Sequence, residues 1–507
     1  RPRRRRPRGG ALTRAALERR LRRLVSRDPD LLSIRREAAR TGVPAWLVGG
    51  AVRDVALGGP GGDAALAAGA GAPRLVAALG SVWGRRGFRF RKRGVTTWRF
   101  DLAGRRVDVV DASTRGLARD LARRELTINA IAYDLLAGRV EDPHGGLRDL
   151  RARVLRLPRA GVVREDPLRA LRAARFLAEL PGFRLYRGAE PEIRAAARAL
   201  GRASVERIRE EIEKLLLARE PARGLLAVEQ LGLLGSVLPE LAPLRGCVAG
   251  EGRPDVWRHT IDAIALAAKG GRYPGSAAIR GESEARLARL ALLVHDLSKP
   301  ETLAEREDGR PTFHGHEVLG ARRADALLRR LRFPSALRKR VARIVLFHLR
   351  PHHLADAGPT PRGLGRLVRD AGDDLPVLVA HAACDALASG SPDARARWRR
   401  LRPVLVELLR LHEAAKASPL PRLVDGGDVM RVLGIGPGPA VGEALRAIQE
   451  LQEEGAVRDR EAALAVLGDL GIAPTGPGAR RRTPSRPPAP RAAGAPPRAG
   501  ARRSGPR

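Results

Sequence analysis

Residues 46–54 read Trp-Leu-Val-Gly-Gly-Ala-Val-Arg-Asp, passing from an apolar run through two adjacent glycines into a helical pattern, and few chain geometries accept that order. The apolar run predicts a short strand. Residues 51–57 predict a helix, stopped by Gly58-Gly59-Pro60. Gly49 and Gly50 let backbone N–H groups approach a polyphosphate with no Cβ in the way, and the helix start adds its positive dipole end. Arg53, on the first turn, reaches the same anion. Residues 63–68 predict a second strand in which positions 63 and 65 share a face; Asp63 is there, and position 65 is alanine.

Three more strands are predicted at 88–90, 95–102 and 107–110, the last two joined at Ala103-Gly104, after a helix over 73–79 that ends at Gly80. Val107 and Val109 alternate with Asp108, so the valines pack inward and Asp108 faces the other side, while Asp111 falls on the opposite parity. Residues 120–132 read DLARRELTINAIA, where Arg123, Arg124 and Asn129 set two cations and an amide close together; the plainer alternative is a helix with a basic face. Asp166 suits a helix N-cap and Pro167 the first helical position, and Asp166 and Arg169 share a helix face. Residues 204–217 read SVERIREEIEKLLL. Beyond 243 come His259, the adjacent pair His295-Asp296, then His316, His348 and Asp385, all in helical surroundings.

In this order the runs resemble the tRNA nucleotidyltransferase and bacterial poly(A) polymerase family with an HD domain, over roughly residues 41–415. The resemblance implies an α+β chain: a small mixed or antiparallel nucleotidyltransferase sheet with helices, then an all-helical neck and a helical HD domain. It implies that Asp63 and Asp108 are catalytic carboxylates holding Mg²⁺, although the family's second strand aspartate is Ala65 here. The nucleotide then lies against Gly49, Gly50, Arg53, Arg123, Arg124, Asn129, Asp166, Arg169, Arg172 and Arg175. Asp166 and Arg169 read the edge of the incoming base. The 120–132 run departs from the family's D-x-x-R-R-D-F-T-I-N-A by Glu125 and Leu126. In the HD domain His259, His295, Asp296 and Asp385 ligate a divalent transition metal or Mg²⁺, with His316 and His348 extending the site or meeting phosphate, Lys299 neutralising one, and Ser298 replacing a glycine.

The implied organisation is a basic arm and helix at 1–40, a head at 41–150, a helical neck for nucleobase and RNA at 151–243, the HD domain at 244–416, a helical piece at 417–475, and a disordered basic tail at 476–507. Cys247 and Cys384, far apart, argue against a disulfide framework or thiolate metal site, and no run reaches the length of a membrane span, so a cytoplasmic location and no membrane partner are expected. The net charge is +39, of which six arginines lie in residues 1–10 and nine in 476–507; arginine-rich coding inflates the rest, yet a body this basic favours a polyanion. The activity implied is template-independent addition of CMP or AMP from CTP or ATP to an RNA 3′ end, weakened by Ala65. Two other classes stay open, an HD phosphohydrolase and an RNA-binding protein with decayed sites. If body charge meets phosphates, log affinity for tRNA falls linearly and steeply with log salt between about 50 and 200 mM, measured by filter binding; a flat response excludes that interface.

Overall fold

The computed structural model describes residues 12–92, 94–248, 250, 252–390, 393–417, 420–453 and 455–469, so the expected arm at 1–10 and tail at 476–507 lie outside the described residues. The chain forms two compact units, Arg1–Ser418 and Pro419–Arg507.

The first unit begins with α1 (Arg14–Arg27) and α2 (Pro29–Thr41). Thr13 caps α1 by accepting from Ala16 N–H at 3.1 Å, and the four-residue spacing of Leu17, Leu21 and Val25 buries one stripe. Asp28 ends α1 and caps α2, accepting from Asp30 and Leu31 N–H ahead of Pro29. A seven-stranded sheet follows: β1 (Ala45–Val48), β2 (Ala64–Ala68), β3 (Phe88–Lys92), β4 (Val95–Leu102), β5 (Arg105–Asp111), β6 (Ala132–Asp134) and β7 (Val140–Glu141), in the order β3-β4-β5-β2-β1-β6-β7. Only β2 and β5 run parallel, so the sheet is mixed. The helix after the glycines is α3 (Gly50–Ala56), and α4 (Ala72–Trp83) runs through Gly80 to a left-handed cap at Gly84 (φ +59°), one turn beyond the stop expected at Gly80.

The register places one residue per strand on a single row: Arg99 opposite Asp108, Asp108 opposite Ala65, Ala65 opposite Val48, Val48 opposite Ala132. Val107 and Val109 are fully buried behind it, so Asp108 faces the other side as the alternation requires. Asp63 falls just ahead of β2 rather than inside it, and its carboxylate accepts from Arg106 N–H at 3.0 Å.

Helices carry the rest of the unit, including Leu168–Glu179, Val205–Leu217 and Pro221–Gln230, then Val256–Lys269, Glu282–Val294, His316–Arg330, Ser335–Phe347 and Leu375–Ala388. Two small strand pairs interrupt them, parallel Val154–Leu155 with Arg184–Leu185 and a hairpin of Ala304–Glu305 with Pro311–Thr312. One apolar core runs continuously from the sheet into these helices. The second unit packs Gly426–Leu433, Pro439–Glu453 and Arg460–Asp469 around Val429, Ala444, Ile448 and Leu467. Asp425 and Asp428 close its first helix with a capping box. Both cysteines are buried and unpaired. No helix among the described residues is long and apolar enough to cross a membrane.

Gly146 starts the helix Gly146–Ala152 against the Thr127–Asn129 turn, and a Cβ there would lie 2.3 Å from Thr127 O and 2.7 Å from Ile131 Cγ1. Gly146→Ala is therefore expected to lower stability by about 1–3 kcal/mol, read as a lower urea midpoint at unchanged slope.

Candidate nucleotide site and histidine cluster

The turn after β1 accepts only glycine at its first position. Gly49 has φ +78°, and a Cβ there would sit 2.6 Å from Arg124 Nη1. Gly49 gives its own N–H to Ile131 O at 3.4 Å, so the N–H groups left facing outward begin at Gly50, the first residue of α3. Arg53 Nη1 donates to Asn129 Oδ1 at 2.9 Å, and its guanidinium lies 5.2 Å from the Phe176 ring. Asn129 Nδ2 donates to Glu125 at 2.9 Å, and Glu125 meets Arg172 at 3.0 Å. Burial pushes the Glu125 carboxyl up, but Arg172, its own backbone N–H, Arg124 and Asn129 outweigh that and hold it at about 2. The chain of contacts continues through Glu211, 3.6 Å from Arg172, to Arg175, whose Nε donates to Glu211 at 2.5 Å.

The DLARRELTINA segment thus folds as a short helix, Gly116–Ala122, and a 3₁₀ turn, Thr127–Asn129, which together set Arg124 and Asn129 beside the glycines. Arg124 is braced by Asp120 at 3.0 Å. Arg123 ends the Gly116–Ala122 helix, and its charge acts on Glu165. Arg172 and Arg175 are expected against the nucleotide; in the fold buried Arg175 is engaged by Glu211 and Glu179, and Arg172 bridges Glu125 and Glu211.

Asp166 differs from the expected N-cap. Pro167 takes the cap position of Leu168–Glu179, no side-chain cap bond forms, and the Asp166 carboxylate instead accepts from Arg207 Nη2 at 2.8 Å. Arg169 Nη1 donates to Val162 O at 2.6 Å. A cleft of about 700 Å³ opens beside them, lined among others by Glu165, Asp166, Ser204 and Arg207. Nothing local marks Arg207 in the sequence; its partner is 41 residues away.

On the row across the sheet, Asp108 accepts from Arg99 through both oxygens, at 2.7 and 2.8 Å. Ala65 offers no donor on the other side. Among the described residues no group of three metal donors forms at this end of the sheet; both such groups lie in the helical region. Divalent-metal dependence goes with the head's family, but the donor set present here, Asp63 and an Asp108 already held by a cation, does not fit a pair of ions.

The histidine cluster is the opposite case. His259, His295 and Asp385 offer ligand atoms within 4.8 Å of one another, as do Asp296, His316 and His348. His259 Nε2 lies 2.8 Å from Asp385 Oδ1 and His316 Nε2 3.4 Å from Asp296 Oδ1. Nδ1 of His295, His316 and His348 lies 2.9, 2.7 and 2.6 Å from the carbonyls of Leu292, Phe313 and Val345. Each carbonyl sits three residues earlier on the same helix or turn, so each Nδ1 donates backward and each Nε2 is turned into the cluster. His295 Nε2 and Asp296 Oδ1 are buried without a hydrogen-bond partner. Burial lowers the His295 pKa, but Asp296 and Asp385 raise it overall to about 10, whereas burial and then the His295 charge push His348 down to about 3. Buried Asp296 beside half-buried Asp385 calls for a cation, and this donor set fits a metal ion. Lys299 Nζ also meets Asp296, at 2.6 Å, while His352 lies 3.2 Å from Asp385 and His381 packs 5.1 Å from the His295 ring. His352 and His381 carry no sequence signal beyond their residue type; each lies on a helix face that only packing turns inward.

Known proteins with this arrangement are closely similar. The Poly A polymerase head domain matches residues 45–156, the probable RNA and SrmB- binding site of polymerase A matches 182–244, and the HD domain matches 256–389. The A-adding tRNA nucleotidyltransferase of Deinococcus radiodurans is 37% identical over 436 residues, 83% of this chain and 94% of that protein. The CC-adding tRNA nucleotidyltransferase of Thermus thermophilus is 36% identical over 441 residues, 83% of this chain and 93% of that protein. Among solved structures, the Bacillus stearothermophilus CCA-adding enzyme in complex with CTP has TM-score 0.55 at 27% identity, covering 87% of this chain and 98% of that one. The Thermotoga maritima CCA-adding enzyme complexed with tRNA shares the fold, with TM-score 0.58 at 20% identity over 90% of this chain and 97% of that one. The chain belongs to the tRNA nucleotidyltransferase family, with a poly(A) polymerase-type head followed by an HD domain.

Proposed function

We propose that this protein is a template-independent nucleotidyltransferase that adds AMP or CMP, from ATP or CTP, to the 3′ end of tRNA in the cytoplasm. The observation that carries the reading is the folding of the DLARRELTINA segment onto the glycine turn, with Arg124 against Gly49 and Asn129 on Arg53. Relatives of the same family are A-adding and CC-adding enzymes, and solved relatives hold CTP, ATP and tRNA. In the proposed complex the triphosphate lies on the Gly50 end of α3, with Arg53 and Arg124 beside it and Arg123 at the rim. Asp166 and Arg169 present an acceptor and donors to the base edge, Arg207 orients Asp166, and Arg172 and Arg175 position the layer in front through Glu125 and Glu211. The RNA 3′ oxygen forms a new bond to the α-phosphorus as the bond to pyrophosphate breaks, a displacement driven by positioning and charge stabilisation.

The row holding Asp108 has a methyl group at Ala65 where a second carboxylate would sit, and a principal electrostatic contribution at such a site is worth about a hundredfold in rate. Slow extension of tRNA by labelled ATP or CTP is expected, with sequenced product ends showing which nucleotide is added. Ala65→Asp should raise the single-turnover rate by about tenfold to a hundredfold; no change there, together with no loss in Asp63→Ala, would refute the role of this strand.

A second reading belongs to the HD site, where His259, Asp385, Lys299 and His352 line a cleft of about 270 Å³ with Arg253 and Arg397 at its mouth. Cations around a metal-competent cluster suit a phosphate ester, and we assign His259, His295, Asp296 and Asp385 as ligands of a transition metal or Mg²⁺ there. His295→Ala is expected to lower bound metal by elemental analysis, and any phosphodiester hydrolysis with it, while tRNA affinity stays unchanged; equal metal content in the variant would count against the assignment.

A further inference from the structure

Sheet register puts Arg99, Asp108 and position 65 side by side, and the row reaches the glycine turn because Val48, the residue before Gly49, faces Ala65. Asp108 is the only acid among these positions, and its two neighbours differ in kind. On β2 the side chain is a methyl group. On β4 it is a guanidinium whose Nε and Nη2 take both carboxylate oxygens at 2.7 and 2.8 Å. A fork–fork pair of this geometry and a divalent ion compete for the same lone pairs. Where a carboxylate has been lost, the sheet holds a fixed positive charge instead.

Resting on the nucleotidyltransferase reading above, we propose that Arg99 is the resident cation of the head, holding the triphosphate of an incoming ATP or CTP in place of one divalent ion. Its side chain is 35% exposed, and its third nitrogen, Nη1, makes no hydrogen bond among the described residues. The Phe90 ring lies 5.3 Å from the guanidinium carbon, so Phe90 and Asp108 together hold the group in place before any ligand arrives. A guanidinium supplies phosphate with fixed charge and directed N–H groups, but it stays protonated and cannot draw a proton from a hydroxyl. Nucleotide binding without added metal, combined with slow transfer, is the signature of such a site.

The test is ATP affinity of the full chain, measured by isothermal titration calorimetry in EDTA and in Mg²⁺. Comparable affinity in the two buffers is expected for the unmodified chain. R99Q should bind ATP about tenfold more weakly in EDTA, the size of one lost charge-assisted contact, and R99K should recover part of the loss. The double variant A65D/R99Q gives the row a second carboxylate and removes the fork, and it is expected to bind ATP only when Mg²⁺ is present. ATP binding by the unmodified chain that requires Mg²⁺ overturns this inference and leaves the nucleotide reading intact. Equal affinity of R99Q and the unmodified chain in EDTA overturns it as well. Absence of binding in both buffers overturns both readings. The comparison of buffers needs no substitution, so it decides the question even if a variant fails to fold.

Discussion

The carboxylate of Glu125 is the joint on which the head and the following helices depend. It lies largely buried, held ionised against the cost of burial by Arg172, by its own backbone N–H, by Arg124 and by the Asn129 amide. A buried charge left without its partner costs about 3–5 kcal/mol, so none of these groups is independent of the others. Through Asn129 the same carboxylate fixes Arg53 beside the glycine turn, and through Arg172 and Glu211 it reaches Arg175 in the helix Leu168–Glu179. The glycine turn and the helix Leu168–Glu179 are therefore held by one polar chain rather than independently.

Charge is distributed in opposite ways at the two ends of the first unit. The head sets a methyl group, Ala65, beside Asp108 and neutralises that acid internally with Arg99. The helical region gathers buried Asp296, half-buried Asp385 and a ring of imidazoles whose Nδ1 atoms are tied to backbone carbonyls, leaving Nε2 atoms and Asp296 Oδ1 turned inward. The first arrangement is satisfied without a ligand, whereas in the second Lys299 serves Asp296 Oδ2 and leaves Asp296 Oδ1 and His295 Nε2 unmatched. The difference follows from which groups the backbone already serves, and it holds whatever substrate either site takes.

Much of the fold was legible in local pattern. The apolar run before Gly49, the turn at Ala103-Gly104 and the alternation of Val107, Asp108 and Val109 all appear where the periodicity predicts, and the helix Val205–Leu217 where the resemblance implied one. Misplacements were local competitions: Gly80 continues a helix that Gly84 ends, and Pro167 takes the cap position that Asp166 also suited, because Arg207 offers that carboxylate a charged partner instead. The resemblance implied an Arg175 facing the nucleotide, yet Glu211, 36 residues on, pairs with it in the interior.

By itself the sequence determined which residue types stand on which element and in what order, since strand alternation, helix period and glycine turns act over a few neighbouring residues. Only the tertiary structure decided what each charged group faces. Arg99 and Asp108 are nine residues apart and meet through strand register, Asp166 and Arg207 are 41 apart, and His259 and Asp385 are 126 apart and meet through helix packing. Electrostatic partners are chosen by distance in space after burial has removed water, so whether Asp108 faces a metal or a guanidinium was settled only once β4, β5 and β2 lay side by side.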